Sequence, residues 1–125
     1  MAVDGSYTFP FTCDSVTLAD KEGYSVKAAS GLVSLSGAST LALGPVRVGA
    51  AAGEDVDVAL PGDIAPVKLG GTVARGDLGK VNSSSTYEKS TPTDGDIVAC
   101  RFLEAGVSGD LVNALILPAH RYEAG

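Results

Sequence analysis

The fold is indicated most clearly by the stretch Gly53-Glu54-Asp55-Val56-Asp57-Val58-Ala59-Leu60. Apolar side chains occupy every second position from Val56 to Leu60, and the carboxylates of Asp55 and Asp57 fall between them. This alternation is typical of a β-strand with one apolar face and one partly acidic face. The preceding Ala-Gly-Glu and the following Pro61-Gly62 have the composition of turns.

A second stretch, Gly109 to Ile116, aligns with Gly53 to Leu60 at an offset of 56 residues. The segments before the two turns, Leu43 to Val48 and Ala99 to Glu104, are strand-like in both copies. Two similar units of strand, glycine turn and strand pack readily into a compact barrel or sandwich. We therefore predict an all-β fold of short antiparallel strands, arranged as two quasi-repeated halves with at most one short helix.

Further strands are predicted on either side of these units. Tyr24 to Ala28 and Leu32 to Leu35 flank a Ser-Gly turn and predict a hairpin. We expect Gly44-Pro45 to interrupt the strand at Leu41 to Val48, and Pro118 to end the last strand. The almost wholly polar segment from Asn82 to Asp96 predicts a solvated loop or a loosely formed hairpin tip.

Composition and charge narrow the classes of function. A chain of 125 residues with 45% hydrophobic and 19% charged residues suits one globular domain. Its net charge of −6 and scattered Lys and Arg argue against nucleic-acid binding. No apolar run approaches the roughly 18 residues of a membrane helix, so we expect no membrane contact.

The residues do not indicate an enzyme. The histidine, His120, lies in the predicted C-terminal tail, and Gly106-Val107-Ser108-Gly109 reads better as a turn than as a nucleophile elbow. The carboxylates of Asp55 and Asp57, and those of Asp94-Gly95-Asp96, lack the ligand series of a calcium loop. We predict no catalytic residues, no metal and no cofactor.

The two cysteines, Cys13 and Cys100, are predicted to be buried free thiols. The first residues do not read as a secretory leader, and without that context a disulfide has little support. Arg75-Gly76-Asp77 spells an adhesion tripeptide, but Gly-Asp is ordinary turn chemistry, and we expect a turn there.

The N-terminal segment is the candidate protein-binding site. Tyr7, Phe9, Phe11 and Cys13 alternate with polar positions or proline, as in a half-buried strand. Because Pro10 cannot donate to a ladder, the segment is predicted to be an edge strand or a contact arm. We predict that Tyr7, Phe9, Pro10 and Phe11 bind another protein; the alternative is that these aromatic side chains cap the protein's own barrel.

The rhythm of turns and strands resembles a known family. It is carried by Gly44 to Val58, by Thr72 to Leu78, and by Gly106 to Val112 with Leu115 to Leu117. These segments are similar to the small β-barrel capsid decoration (cement) proteins of tailed bacteriophages, which repeat Ala-Ala-Gly-acid-x-Val turns. The departures from that pattern are the polar segment from Asn82 to Thr93 and the aromatic N-terminal segment.

The resemblance implies a protein made in the bacterial host cytoplasm and placed on the outer capsid surface of the virion. There it would bind the major capsid protein, often as a homotrimer, and stabilise the shell. The domain boundaries predicted from it are an N-terminal arm or edge strand at 1–19, a β-barrel at 20–118 and a tail at 119–125. Other functions remain open: a head-fibre base, a tail or baseplate module, or a carbohydrate- or peptide-binding β-domain.

Overall fold

The computed structural model describes residues 8–13, 18–29, 32–38, 42–49, 51–90 and 97–121, with only the backbone described at 8–11, 29 and 119–121. These residues form strands and turns and include no helix, which confirms the predicted all-β class. The strands are β1 Thr8–Cys13, β2 Ser25–Ala29, β3 Leu32–Leu35, β4 Ala42–Val48, β5 Asp55–Ala59, β6 Ile64–Lys68, β7 Leu78–Val81, β8 Tyr87–Lys89, β9 Ile97–Phe102 and β10 Leu111–Arg121.

The first half of the chain closes into a five-stranded barrel. Its strand order is β1-β3-β2-β4-β5, and β5 pairs with β1 to complete the ring. The β1–β3 pair is parallel, whereas the other pairs are antiparallel. The predicted hairpin is confirmed as β2 and β3, in which Ala29 lies opposite Leu32.

The second half repeats this connectivity. Its five-stranded sheet has the order β6-β10-β9-β7-β8. The two outer strands meet where Leu69, directly after β6, forms a parallel bridge with Tyr87 of β8. There the Gly70 N–H also donates to the Tyr87 carbonyl oxygen at 2.8 Å. Each strand of the second half thus has the same neighbours as its counterpart in the first.

The register of the two halves confirms the predicted repeat. Thr8 lies opposite Ala59 in the first half, and Ile64 lies opposite Leu115 in the second. All four positions are related by the offset of 56 residues found in the sequence. The pair formed by Val46 and Val58 is likewise repeated by Phe102 and Ala114.

Each half has its own apolar core. The core of the first half consists of Cys13, Leu18, Val26, Val33, Val46, Val56 and Val58. The core of the second consists of Ala65, Val67, Leu69, Val73, Val81, Tyr87, Ala99, Cys100, Phe102, Val112, Ala114 and Ile116, together with Ala59 from the end of β5. Burial of these side chains is the main favourable contribution to folding.

One type of turn recurs through both halves. Four described turns have the sequence x-x-Gly-acid, in which the fourth residue donates its N–H to the carbonyl of the first and its carboxylate accepts the N–H of the first. They span 51–54, 60–63, 74–77 and 107–110. The glycines have positive φ, as the third position of a type II turn requires. The turn prediction for Arg75-Gly76-Asp77 is therefore confirmed.

Each of these turns is anchored to one residue of a neighbouring strand. The Gly76 N–H donates to the Phe102 carbonyl oxygen at 2.8 Å, and the Phe102 N–H donates to the Asp77 carbonyl oxygen at 2.9 Å. Cys13, Ile116 and Leu69 make the same paired bonds with the turns at 51–54, 60–63 and 107–110. The turn at 21–24, which lacks the acidic residue, pairs in the same way with Val46.

Between Asn82 and Ser90 the expected hairpin tip is found, since β8 pairs with β7, whereas the expectation of solvent exposure is wrong for Ser85, Thr86, Tyr87 and Ser90. Tyr87 of β8 is fully buried, and Ser85, Thr86 and Ser90 are buried as well. The turn at 82–86 satisfies its own polar groups, because the Asn82 Oδ1 accepts hydrogen bonds from the N–H groups of Ser84 and Thr86. A largely polar segment can therefore place one aromatic side chain, that of Tyr87, in the core. Residues 91–96 lie outside the described part of the chain.

Two prolines expected to interrupt strands lie within strands instead. β4 continues through Gly44-Pro45, and the register of its pairing with β2 shifts beside them. β10 continues through Pro118, and its register against β9 shifts between Ile116 and His120. Such an irregularity accommodates a residue that has no N–H to donate. The backbone of His120 consequently lies in β10, opposite Val98, and not in a tail.

The positive φ of the turn glycines yields a stability prediction. Gly76 has φ 91° and open space around an added Cβ, so Gly76→Ala introduces backbone strain without a steric clash. We expect this substitution to lower the free energy of unfolding by about 1–2 kcal/mol, measured by urea denaturation. Gly71→Ala is the matched control, because its Cβ would make only an ordinary contact, 3.8 Å from the Glu88 Cβ. Equal losses in both variants would contradict the strain argument.

Candidate protein-binding surface

The structure places the predicted binding residues on a barrel strand. Phe9, Pro10 and Phe11 belong to β1 and lie opposite Val58, Asp57 and Val56 of β5. Only the backbone is described at these three positions, and Tyr7 lies outside the described residues. That these residues contact another protein stays a prediction.

The expectation of a free arm does not hold for residues 8–13, and that of an edge strand does not hold at Thr12 and Cys13. β1 has β5 on one side and β3 on the other. Among the described residues, β3 pairs only with Thr12 and Cys13, beyond Pro10. The missing N–H of Pro10 is therefore compatible with a strand that has two neighbours.

The described carboxylates do not gather into a metal site. Asp55 is exposed and Asp57 half-buried on the outer side of β5. Within the described ranges no group of three or more His, Cys, Asp or Glu side chains could hold a metal ion. Asp94-Gly95-Asp96 lies outside those ranges. The described part of the chain also contains no helix long and apolar enough to cross a bilayer.

Both cysteines are buried, as predicted, and they lie in the separate cores of the two halves. Cys100 lies in the second core beside Gly79 and Phe102, and burial raises the pKa of its thiol to about 12. Burial likewise raises the pKa of the Tyr87 phenol well above its ordinary value. Because a thiol reacts as the thiolate, Cys100 is chemically inert at neutral pH.

These raised pKa values predict instability at high pH. The unfolded chain releases the Cys100 and Tyr87 protons near pH 9 and 10, whereas the folded chain retains them. The unfolded state then binds fewer protons, so the free energy of unfolding falls as pH rises above about 9. We expect a loss of about 1.4 kcal/mol per pH unit for each group, measured by urea denaturation between pH 7 and 11. Cys100→Ala should reduce the slope of the free energy of unfolding against pH, with each variant compared with its own value at pH 7. An unchanged slope would contradict the assignment to Cys100.

Polar contacts join the two halves. The Ser25 N–H donates to the Ser85 carbonyl oxygen at 2.8 Å, and the Gly37 N–H donates to the Ser85 hydroxyl oxygen at 2.7 Å. The Arg47 guanidinium donates to the Ile64 carbonyl oxygen at 3.1 Å and lies 3.7 Å from the buried Asp63 carboxylate. The halves are thus held in a fixed arrangement by hydrogen bonds and an ion pair.

The outer side of β6 and β10 carries exposed apolar residues around Asn113, with cations at two corners. We call it the basic face, and it consists of Ile64, Pro66, Lys68, Arg101, Leu111, Asn113 and Leu115. Ile64 is 57% exposed and Leu111 is 50% exposed, although the positions between these residues are buried. Exposed apolar residues gathered on one face are typical of a surface that contacts another macromolecule.

The sequence analysis missed the basic face. Its residues were identified as parts of strands, and exposure could not be assigned without knowing which side of each strand faces the core. The signal available was the repeat itself. Leu111 aligns with Asp55 at the offset of 56, and an apolar residue at a position that is acidic in the other copy is informative.

The fold defines a class of small all-β proteins built from two tandem five-stranded units. Within that class, the chain is similar to the crystal structure of the head fiber gp8.5 N base of bacteriophage phi29, with a TM-score of 0.59 and 16% sequence identity. The similarity covers 90% of this chain and 95% of the head fiber base. No family model and no curated protein matches the sequence. At this identity the comparison establishes a shared fold.

Proposed function

We propose that this chain is a structural protein of a tailed bacteriophage particle that binds the outer surface of the capsid. In this role it bridges neighbouring copies of the major capsid protein and stabilises the shell. The observation that carries the proposal is the similarity of nearly the whole chain to a phage head fiber base. The resemblance of its turns to capsid decoration proteins points to the same particle.

The chemistry of the described residues agrees with a binding role without catalysis. The described thiols are buried, and burial suppresses ionisation of Cys100. The surface features that remain are exposed apolar and charged side chains on rigid strands. Such a surface can bind a partner without rearrangement, which lowers the entropic cost of association.

Self-association would strengthen binding to a symmetric shell. We propose a homotrimer, in which each copy contacts the capsid weakly. Once one copy is bound, the other two contacts form at high effective concentration, so the assembly binds far more tightly than one copy does.

A head-fiber base is the second candidate function. It is favoured by the fiber origin of the similar structure, which is itself described as a base. Both candidates place the chain on the phage head, but they differ in what lies beyond it. A decoration protein ends at the shell, whereas a fiber base carries a longer fiber.

Imaging of phage heads tests the proposal directly. Purified protein is mixed with heads that lack it, and the mixture is examined by cryo-electron microscopy. We expect added density at regular lattice positions between neighbouring capsid subunits. Density at the bases of fibers alone would favour the second candidate, and heads without added density would reject both.

Substitutions in β1 test the predicted contact residues. We expect Tyr7→Ser and Phe9→Ser to weaken binding to heads by about tenfold or more if these aromatic residues are anchors. Because β1 is a barrel strand, the free energy of unfolding must be measured for the same variants. Unchanged binding, or weaker binding fully explained by unfolding, would show that the aromatic residues serve the barrel instead. Asp20→Ser, an exposed position outside β1, is the control.

A further inference from the structure

The repeat allows the two outer sheet faces to be compared position by position. Interior positions stay apolar in both halves, as Val56 and Val112 show. The exposed positions differ in character: Asp55 corresponds to Leu111, and Thr12 corresponds to Lys68. Because the first half folds with Asp55 at the position of Leu111, the fold does not require an apolar residue there.

The basic face is continuous across three strands. Ile64 of β6 lies opposite Leu115 of β10, and Leu115 lies opposite Arg101 of β9. At the other end of the face, Lys68 lies opposite Leu111. Arg101 is exposed and donates to the Gly76 carbonyl oxygen at 2.8 Å, and Lys68 is half-buried, so cations lie at two corners of the face. The neighbouring carboxylate, Glu104, already accepts a hydrogen bond from the Asn113 N–H at 2.7 Å.

The outer side of β4 and β5 has the opposite charge. We call it the acidic face, and it consists of Val48, Asp55 and Asp57. Val48 is 59% exposed and lies opposite Asp57. This face therefore combines carboxylates with an exposed apolar side chain, and the described residues offer it no salt bridge.

The two faces complement each other in charge and in apolar content. Among the residues whose exposure the structure describes, four large apolar side chains are exposed, and three of them, Val48, Ile64 and Leu111, lie on these faces. The fourth, Val107, is in the turn just before Leu111. A partner for the basic face needs an exposed apolar side chain bordered by carboxylates, and the acidic face supplies both in Val48 with Asp55 and Asp57.

We propose that the basic face of one copy of this chain binds the acidic face of a second copy. The contact covers Ile64 and Leu111 of one copy with Val48 of the other, and it brings Lys68 and Arg101 close to Asp55 and Asp57. Charge pairs at such an interface select the partner and the register more than they add affinity. This inference rests on the proposed self-association and names the surfaces that produce it.

Charge reversal tests the contact with the intact chain. Lys68→Glu places like charges opposite each other across the interface, and so does Asp55→Lys. We expect each single variant to self-associate about tenfold or more weakly than the unmodified chain, measured by sedimentation velocity over a range of concentrations. The double variant Lys68→Glu/Asp55→Lys should associate as the unmodified chain does, and an equimolar mixture of the two single variants should recover pairwise association between unlike copies but not a closed trimer.

Matched variants separate this contact from general effects of charge or folding. Lys89→Glu and Asp20→Lys make the same charge changes at exposed positions outside both faces, and they should associate as the unmodified chain does. Leu111→Asp introduces the residue found at the corresponding position of the first half, so we expect a folded protein with lost self-association. Urea denaturation of each variant verifies its folding.

The outcomes are distinguishable. An unmodified chain that stays monomeric at all concentrations overturns both the self-association and this contact, while capsid binding is decided independently by imaging. Association that survives Lys68→Glu and Asp55→Lys overturns the assignment of surfaces alone. Loss in the single variants without recovery in the mixture would show that the two faces do not bind each other.

Discussion

The architecture depends on the docking of glycine turns onto strand backbones. In each docked turn, the glycine N–H and the following carbonyl oxygen bond to one residue of another strand, as Gly76 and Asp77 do with Phe102. A buried strand residue that would leave its N–H and C=O unpaired is satisfied in this way. The turn therefore closes a hairpin and also fixes where that hairpin sits on the barrel. Any other residue at the third position of these turns would have to adopt positive φ. This explains why that position is glycine in the docked turns of both halves.

Much of this fold is predictable from the sequence, because β5, the β2–β3 hairpin and the repeat are local patterns. Alternation over Val56 and Val58 fixes which side of β5 is buried without knowledge of its neighbours. The failures concern residues whose state depends on distant contacts. Tyr87 lies in a polar segment, and its burial depends on its pairing with Val81, on the parallel bridge with Leu69 and on packing in the second core. Pro118 was expected to end a strand because proline lacks an N–H, but a register shift in the pairing with β9 removes the need for one.

The candidate site shows the same division. The chemical types of Phe9, Phe11, Ile64 and Leu111 can be read from the sequence, but their exposure cannot, because exposure depends on how the two halves pack. Comparing the halves supplies part of the missing information. Interior positions are apolar in both halves. The difference between Asp55 and Leu111 lies at an exposed position, so the fold does not account for it, and it indicates a contact with another molecule.

The shared register has a further consequence for assembly of the two halves. Over their aligned residues, the backbones of β5 and β10 pair with their neighbours in the same register, so ladder bonds alone would allow either strand to enter either half. The side chains prevent this exchange. Val58 lies opposite Val46 in the barrel, and Ala114 lies opposite Phe102 in the second sheet, so each pair joins residues whose volumes suit each other. A swapped strand would crowd Val58 against Phe102 and leave a void beside Val46, and both overpacking and cavities are costly. The volumes of the core side chains thus determine which half each strand enters, because the backbone pairing alone does not.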